Sequence, residues 1–476
     1  MPDGTFQPTR RHFILASAGT VVAATCGTVL LSCRRSGHLH TGTPDPTLTP
    51  EPAPVVVAPA PGFAPPYAEP SVRVRVARLR EPRRRPITTR IGSKNQWLRV
   101  RSPLVHQYGE LMRGPVAVTA STKRGSEVMW IVVGNDGESI QLPGSARLDV
   151  HALDDQPGTT LAYDSTAYPG FIRLNPQHDN SASGVDVVNV VGMEEYLPGV
   201  LARELYAHWQ PSTFEAQAVA ARSFALHEVL HFGPSRSFDV TNTQQSQAYI
   251  GKTDRSRALD AVVATRGSIL TWQSHEGRRV VPGYYSSCCG GRAAAATDVI
   301  GPNPINAIPP LHGHSQQCPC REAPRYRWNV AMSTNEFATQ IQQWAQQTGR
   351  TKLGALSNPR AITVVESCSN GRPRRFNLQC SSGPTVELDA TALCDALRFR
   401  TKDHDPSEPH RIWSPFLQPQ GISGGTVQFQ GCGYGHGAGM CQYGAEAQAR
   451  AGASAHAILA WYYPGAEIHE AWTERA

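Results

Sequence analysis

The sequence lacks the two glycine-rich signatures that bind phosphates, although it contains one unusually glycine-rich stretch. Residues 431–444 hold six glycines and one histidine, His436. The stretch has neither the G-x-G-x-x-G spacing of dinucleotide sites nor the Gly-Lys-Ser/Thr ending of a P-loop, which excludes a phosphate cradle. Dense glycine permits positive φ and a close approach of the backbone to a ligand. A tight turn around a buried, hydrogen-bonded histidine is the alternative.

Acidic residues are nearly absent from one short segment, and this shortage sets the net charge. Residues 73–101 contain eleven lysines and arginines against one acid, Glu81, whereas the whole chain has a net charge of +7. Valine alternates with arginine over residues 72–76, which predicts a half-buried strand with a cationic face. Two interpretations remain open: attraction to anionic lipid headgroups or wall polymers, and an ordinary solvated face.

The N-terminal residues predict export. Arg10 and Arg11 precede a largely apolar run over residues 13–31, as in a twin-arginine signal. The run is about long enough to span a bilayer, so an uncleaved anchor is the alternative. Residues 30–33 resemble a lipobox in which Cys33 would be lipidated. We predict a signal peptide over 1–33 and a membrane-tethered protein on the extracytoplasmic side, in the cell-wall or periplasmic space. An exported protein is not expected to bind nucleic acid.

A proline-rich segment over residues 34–70 predicts a disordered stalk. Residues 38–70 contain ten prolines, and this composition buries too little apolar surface to fold. At about 3.1 Å per residue, the stalk could reach on the order of 100 Å. The remaining residues, about 400, suffice for one large or two moderate domains.

Short, turn-bounded strands over residues 97–190 and a few helices predict an α+β fold, mostly antiparallel sheet with packed helices. Ser212 and Glu215 fit a capping box at the start of one helix, and Gly233 is placed to end it. Two more helices are predicted, over residues 445–451 and 454–462.

Eight ordered sequence elements resemble the stage II sporulation protein D family (the SpoIID/LytB domain). They are EYLPGV, ARELY, EAQAVAARSFAL, SQAYIGK, YYSSCCGG, APRYRW, GHGAGMCQYGA and WYYPGAEI. The resemblance covers about residue 70 to the C-terminus and implies a SpoIID-like domain over 71–476, one large catalytic region with an inserted or accessory subdomain. Its expected parts are strand-rich 71–180, the catalytic glutamate and helix in 181–300, accessory 301–425, and the Gly-His motif with C-terminal helices in 426–476.

Glu204, in ARELY, matches the catalytic glutamate of that family. The resemblance implies a peptidoglycan lytic transglycosylase that cuts MurNAc–GlcNAc strands, preferably stripped of stem peptides, and leaves 1,6-anhydro ends. One carboxyl group suffices because the sugar's own 6-hydroxyl attacks C1, and apolar neighbours would raise its pKa. Glu194 and Glu195 are interpreted as structural. A hydrolase would need a second acid, for which Asp239 is the first candidate.

Several further residues are predicted to bind substrate. The guanidinium of Arg222 matches the lactyl carboxylate of stripped muramic acid, with a structural salt bridge as the alternative, and Gln217 could face the same cleft. The others lie in the glycine-rich stretch or directly after it: Gly435, His436, Gly437 and Tyr443. The histidine could position substrate or bind metal, and the glycines would let sugar rings approach backbone amides.

The cysteines predict either a metal site or disulfides. Of eleven, Cys26 lies in the signal and Cys33 in the lipobox, which leaves nine. Thiols and imidazoles within about thirty residues suit tetrahedral zinc, and the resemblance implies zinc in this region in some members. The candidate ligands are Cys289, His312, His314, Cys318 and Cys320. A disulfide from Cys289 to Cys318 or Cys320 is the alternative in an oxidising compartment. Cys432–Cys441 and Cys368–Cys380 are further possible pairs.

A second function remains open from the sequence. A non-catalytic, wall-binding lipoprotein of this family could activate an N-acetylmuramoyl-L-alanine amidase. Peptidoglycan glycan strands are the expected partner in both cases, and a cell-wall amidase is a partner in the second. Glu204 separates the two, because an enzyme needs its carboxyl group whereas a binder tolerates glutamine there.

Overall fold

The computed structural model describes most of the chain beyond the predicted stalk. It covers residues 68–80, 86–103, 109–121, 129–143, 147–153, 159–179, 182–350, 353–354, 356–381, 385–399 and 412–472. The predicted signal peptide, the lipidated Cys33 and nearly all of the proline-rich stalk lie outside these residues. Within them, no helix is long and apolar enough to cross a membrane.

The described residues form eight α-helices, and the α+β prediction is confirmed. The helices are α1 (Met193–Glu204), α2 (Pro211–Phe232), α3 (Ser256–Ala264), α4 (Ala296–Val299), α5 (Thr334–Thr348), α6 (Ala390–Arg398), α7 (Gln442–Arg450) and α8 (Ala455–Tyr462). Three 3₁₀ turns accompany them, at Gly233–Ser235, Pro304–Asn306 and Pro309–Leu311.

The strands are mostly short and antiparallel. They are β1 (Ser71–Arg80), β2 (Ile87–Ile91), β3 (Trp97–Arg101), β4 (Glu110–Arg113), β5 (Val116–Ser121), β6 (Met129–Val133), β7 (Ser139–Pro143), β8 (Leu148–Ala152), β9 (Thr160–Tyr163), β10 (Thr166–Pro169), β11 (Phe171–Asp179), β12 (Ala182–Gly192), β13 (Val240–Thr241), β14 (Ser268–Ser274), β15 (Gly277–Val280), β16 (Tyr285–Ser286), β17 (Arg327–Ser333), β18 (Pro359–Ser367), β19 (Pro373–Cys380), β20 (Val386–Asp389), β21 (Leu417–Ser423), β22 (Thr426–Cys432), β23 (Met440–Cys441) and β24 (Glu467–Glu470).

The largest sheet has seven strands in the order β13-β1-β12-β11-β8-β3-β4. Strand β1 is half-buried as its alternation predicts, with Val72 and Val74 fully inside. Its arginines do not form a free cationic face. Arg73 makes an ion pair with Asp239, and Arg78 makes one with Asp186. The charges of these two arginines are therefore paired with buried aspartates.

A separate hydrophobic core is formed by residues that run along the sequence from β17 to β22. Strands β17, β22 and β21 form one three-stranded sheet, and β18, β19 and β20 form another. Helices α5 and α6 contribute to the core, in which Phe337, Phe376 and Phe429 are buried. This core falls mainly in the predicted accessory part, whose boundaries stay a prediction.

The capping box predicted for α2 is wrong. Gln210 occupies the N-cap position without a side-chain bond, and Pro211 begins the helix, so Ser212 and Glu215 lie two residues too far inside. The carboxylate of Glu446 instead accepts a bond from the backbone N–H of Gln210 at 2.9 Å. A distant acid therefore replaces the local cap.

The helix ends were predicted more closely. Helix α2 ends at Phe232, directly before Gly233. Helix α8 begins after Ser454, whose hydroxyl accepts a bond from the N–H of Ala457, as expected of an N-cap. Helix α7 begins at Gln442, three residues before the predicted start.

Candidate functional site

A cavity of about 840 Å³ is lined by helices α1 and α2, by helix α6 of the separate hydrophobic core and by the segment that follows β22. Glu204 from α1, Glu228 from α2, Asp395 from α6, and His436 and Gln442 from the C-terminal segment are among its lining residues. Elements from distant parts of the sequence thus meet around one space large enough for sugar rings.

Glu204 is the last residue of α1, and its carboxyl group faces this cavity. One oxygen accepts a bond from the N–H of Ala248 at 2.9 Å, and the other accepts one from the amide of Gln442 at 3.4 Å. Burial raises the pKa of Glu204, while these two bonds and nearby Arg203 act in the opposite direction. The electronegative end of a helix also disfavours a negative charge. The carboxyl group is suited to hold a proton.

Buried tyrosines surround this glutamate. The hydroxyl of Tyr196 donates to the amide oxygen of Gln247 at 3.1 Å, and the amide of Gln247 donates to the hydroxyl of Tyr285 at 3.1 Å. Burial raises the pKa of both tyrosines, and the charge of Glu204 adds to the effect. Gln247 belongs to SQAYIGK, so this sequence element builds the surroundings of the carboxyl group.

Gln217 lies behind the cavity wall, close to Glu204. Its amide oxygen accepts a bond from the side chain of Gln442 at 3.3 Å, and the same Gln442 amide group reaches Glu204. Gln217 is fully buried, and its amide nitrogen has no hydrogen-bond partner among the described residues. It is thus placed to hold Gln442, not to contact a sugar directly.

Arg222 does not face the cavity, so its predicted contact with a substrate carboxylate is wrong. Its guanidinium is fully buried and donates two bonds to the carboxylate of Glu194, at 2.9 and 2.7 Å. It also donates to the carbonyl of Ser268 at 3.1 Å. The structure therefore contains a structural salt bridge at Arg222, which was the alternative that the sequence left open.

The glycine-rich loop is fixed by parallel pairing of β16 with β23, which places Ser286 opposite Cys441. The N–H of Gly435 donates to the carbonyl of Trp413 at 3.0 Å, and that of Gly437 donates to the hydroxyl of Ser286 at 3.2 Å. Both N–H groups are therefore bonded inside the protein, but Gly435 lines the cavity, and the substrate role of the two glycines stays a prediction. Gly437 is required for packing, because its φ is +83° and a Cβ there would lie 2.8 Å from a guanidinium nitrogen of Arg372.

His436 lies in the wall of the cavity, as its predicted substrate role requires. Its Nδ1 accepts a bond from the N–H of Ala438 at 3.1 Å. Burial lowers the pKa of His436 to about 4. A neutral imidazole can position a hydroxyl group but carries no charge at neutral pH.

Tyr443 lies in a second, smaller pocket of about 270 Å³. Its ring meets Trp209 edge-on, with centroids 5.0 Å apart, and its hydroxyl donates to that of Tyr206 at 3.4 Å. Tyr206 is 47% exposed. Since aromatic faces suit the apolar faces of sugar rings, this pocket is consistent with the predicted substrate role of Tyr443.

Four cysteines lie together inside the protein. The sulfur atoms of Cys289, Cys318, Cys320 and Cys441 all lie within 4.8 Å of one another. Polar groups contact two of these sulfurs: the N–H of Cys289 donates to the sulfur of Cys441 at 3.3 Å, and the hydroxyl of Tyr462 lies 3.2 Å from the sulfur of Cys318.

The predicted ligand set is corrected in two ways. His312 and His314 are not part of the cluster; the ring of His314 packs on Trp461 with centroids 3.8 Å apart. Cys441, which the sequence interpretation paired with Cys432, takes the fourth position. Each of the nine described cysteines is a free thiol. The disulfides suggested from the sequence, including Cys368–Cys380, are therefore not present in this structure.

The geometry of the cluster fits a zinc ion. Tetrahedral zinc bound to sulfur at about 2.3 Å places neighbouring sulfurs about 3.8 Å apart. The sulfurs of Cys289 and Cys320 lie 3.8 Å apart. Four thiolates together with one divalent ion would have a net charge of two negative units. A buried cation lies beside the cluster. Arg372 is 3% exposed and donates to the carbonyl of Cys289 at 3.0 Å.

Two acids that line the cavity were not predicted from the sequence. Burial raises the pKa of Glu228 to about 7 and that of Asp395 to about 6. Asp239, the predicted second acid, is 2% exposed and its carboxylate is paired with Arg73. The sequence could have indicated Glu228, because this acid lies on the predicted helix α2. Asp395 belongs to the separate hydrophobic core, and no sequence pattern indicated that it would reach this cavity.

Comparison with known proteins agrees with the sequence elements. Residues 181–272 match the model of the SpoIID family, described as stage II sporulation protein. The resemblance to the SpoIID family that the sequence elements predicted is confirmed over this segment. The matched residues include α1 and α2, and with them Glu204, Gln217 and Arg222.

Three relatives show how far the likeness extends. An uncharacterized protein of Brachyspira hyodysenteriae is 29% identical over 66% of this chain and 75% of its own length. The stage II sporulation protein D of Bacillus amyloliquefaciens is 27% identical over 60% of this chain and 76% of its own length. The amidase enhancer of Bacillus subtilis is 26% identical over 57% of this chain, but over only 40% of its own length. These similarities support a role related to the cell wall.

Proposed function

We propose that this protein is a peptidoglycan lytic transglycosylase in which Glu204 is the catalytic acid and base. The observation that carries the proposal is the carboxyl group of Glu204, which faces an 840 Å³ cavity with a pKa raised by burial. A protonated carboxyl group at the wall of a sugar-sized cavity is the requirement of general acid catalysis on a glycosidic bond.

The proposed reaction needs no water. The carboxyl group of Glu204 gives its proton to the glycosidic oxygen as the bond from C1 of the muramic acid residue breaks. The 6-hydroxyl oxygen of the same sugar bonds to C1, and its proton passes to the carboxylate, which restores the acid. The amide of Gln442 and the N–H of Ala248 hold the two carboxylate oxygens, so the group keeps one orientation in both proton transfers.

We assign the supporting roles by position. His436 lines the cavity and can hold a sugar hydroxyl, and the smaller pocket lined by Tyr206 and Tyr443 offers aromatic faces for a neighbouring sugar. A zinc ion held by the four clustered cysteines would fix the glycine-rich loop to the segment after β16, and its part is structural. Export, lipidation of Cys33 and a preference for stripped glycan belong to the same proposal.

A second candidate is a non-catalytic activator of a cell-wall amidase. The relative named amidase enhancer favours it. An activator needs the fold and the exposed aromatic pocket, but it does not need a protonated carboxyl group inside a cavity.

The Glu204→Gln variant tests the proposal on purified glycan strands without stem peptides. Loss of a general acid typically slows a reaction by about 10² to 10⁴-fold, and we expect that loss with an unchanged melting temperature. Glu195→Gln, a neighbouring acid on α1, is the matched control and should cleave like the unmodified protein. Near-normal cleavage by folded Glu204→Gln protein would contradict the assignment of Glu204, whereas absence of cleavage by the unmodified protein would favour the activator.

A further inference from the structure

The cavity that contains Glu204 continues along one side of helix α2. Four residues of α2 line it, and their spacing of three, one and four residues places them on one face of the helix: Phe224, His227, Glu228 and Phe232. Arg236, which follows the 3₁₀ turn at Gly233–Ser235, also lines the cavity. The cavity is therefore long enough to present different chemical groups to successive units of a polymer.

Arg236 lies far from Glu204 along this helix. The side chain of Gln442 contacts both Glu204 and Gln217 of α2, and Glu228 follows Gln217 by eleven residues. At about 1.5 Å per residue, these two positions are about 16 Å apart along the helix axis. Since Arg236 pairs with Glu228, a group bound at Arg236 would belong to a different sugar from the one that reacts at Glu204.

The guanidinium of Arg236 makes no hydrogen bond within the described part of the chain. Its side chain is 43% exposed, and it lies 3.8 Å from a carboxylate oxygen of Glu228. The guanidinium carbon lies 4.2 Å from the centre of the Phe232 ring, which supports it from one side. Arg398, which also lines the cavity, donates through Nε to the carbonyl of Ile412 at 3.0 Å. Arg236 is thus a cavity cation whose donors are available to a ligand.

Other polar atoms of the cavity wall also have no partner among the described residues. His227 is 1% exposed, and neither of its ring nitrogens is hydrogen-bonded; the side-chain oxygen of Gln244 is likewise buried and unpaired. Burial lowers the pKa of His227 to about 3, so the neutral ring can donate one bond and accept another. Because buried polar groups are normally hydrogen-bonded, these atoms indicate a ligand with hydroxyl or amide groups, as sugars have.

Glu228 does not neutralise Arg236 completely. Burial raises the pKa of Glu228 to about 7, although the charge of Arg236 acts in the opposite direction. Near neutral pH, a substantial fraction of the molecules therefore carry the uncharged acid. A protonated carboxyl group has an O–H that can donate to a carboxylate, so Glu228 and Arg236 can bind the same anion.

We propose that Arg236 binds the lactyl carboxylate of a second muramic acid residue, one disaccharide along a stripped glycan strand from the bond at Glu204. The planar guanidinium matches a carboxylate with two parallel hydrogen bonds. In glycan that keeps its stem peptides, this carboxyl group forms an amide bond and carries no charge. Arg236 would therefore select stripped strands. The assignment rests on the glycan substrate of the proposed function, but not on its cleavage.

Binding to a protein that lacks the catalytic acid tests this subsite. Full-length Glu204→Gln protein is titrated calorimetrically with a stripped tetrasaccharide that contains two muramic acid residues, and with the same tetrasaccharide after its lactyl carboxyl groups are converted to amides. Adding Arg236→Gln should weaken binding of the stripped form about tenfold and leave binding of the amidated form unchanged. Adding Arg236→Lys instead should recover part of the affinity, because lysine keeps the charge without the planar fork.

Arg257→Gln is the matched control, since Arg257 is exposed on α3 and does not line the cavity. Equal melting temperatures of the variants check folding. The proposal is overturned if Arg236→Gln leaves the affinity for the stripped tetrasaccharide unchanged, or if it weakens both tetrasaccharides equally. It is also overturned if the stripped form does not bind at all. Binding that depends on Arg236, without cleavage by the unmodified protein, would contradict the proposed function and keep the subsite.

Discussion

The two ends of helix α1 carry glutamates in opposite surroundings. Glu194, in the first turn, is 7% exposed and meets the guanidinium of Arg222, the N–H of Gly267 at 3.1 Å and the indole N–H of Trp472 at 2.9 Å. Glu204, at the other end, meets one backbone N–H and one amide group and faces a cavity.

The difference shows what separates a structural acid from a reactive one. Glu194 lies at the electropositive end of the helix with a buried arginine, so its negative charge is fully matched. Glu204 lies at the electronegative end, and burial raises its pKa. One helix thus pairs one carboxylate with a buried guanidinium and leaves another facing a cavity.

The largest expected effect is on stability, at the N-terminal end. Removing one partner of a buried ion pair costs about 3–5 kcal/mol, so Glu194→Gln should lower the free energy of unfolding by about that amount. Glu204→Gln should change it by less than about 1 kcal/mol. Urea unfolding measures both, with Glu195→Gln as the control. A stable Glu194→Gln protein beside a destabilised Glu204→Gln protein would reverse the comparison.

The next effect is on pH dependence, at the C-terminal end. The reaction needs the protonated form of Glu204, so cleavage should fall as pH rises through its pKa, by about tenfold per unit. Because the folded state raises this pKa, stability should also fall with rising pH between the unfolded and folded values, and Glu204→Gln should remove that decline. Asp395→Asn is the control, since the pKa of Asp395 is about 6. If Asp395→Asn changes the pH at which cleavage falls, the attribution of that fall to Glu204 is contradicted.

The smallest effect concerns the amide that bonds Glu204. Gln442→Leu removes a donor to the ionised carboxylate and should raise the pKa of Glu204. A net hydrogen bond of about 0.5–1.5 kcal/mol corresponds to a rate about 2 to 10-fold higher on the alkaline limb of the pH profile. Gln448→Leu, on the same helix α7, is the matched control. An alkaline limb that moves to lower pH would show that Gln442 does not favour the ionised form.

Features set by neighbouring residues were predictable from the sequence. The end of α2 before Gly233 and the cap at Ser454 follow from local backbone chemistry. The capping box at Ser212 and Glu215 also had a correct local pattern. It failed because Glu446, more than two hundred residues away, bonds the start of the helix.

Features set by long-range pairing were not predictable. Histidines close in sequence to Cys318 looked like better zinc ligands than a distant thiol. Pairing of β16 with β23 brings Cys441 to the cluster, and no spacing in the sequence encodes that pairing. Asp395 reaches the cavity from the accessory core in the same way, since its position depends on how two hydrophobic cores pack.

The ends of the cleaved glycan test the central claim most directly. Glu204 acting alone implies attack by the sugar's own hydroxyl, whereas Glu228 or Asp395 acting with it could hold a water molecule, as the paired acids of glycoside hydrolases do. Mass spectrometry of stripped glycan strands, digested by the full-length protein, separates the two outcomes. We predict 1,6-anhydro ends without new reducing ends. New reducing ends, formed in proportion to cleavage, would contradict the account.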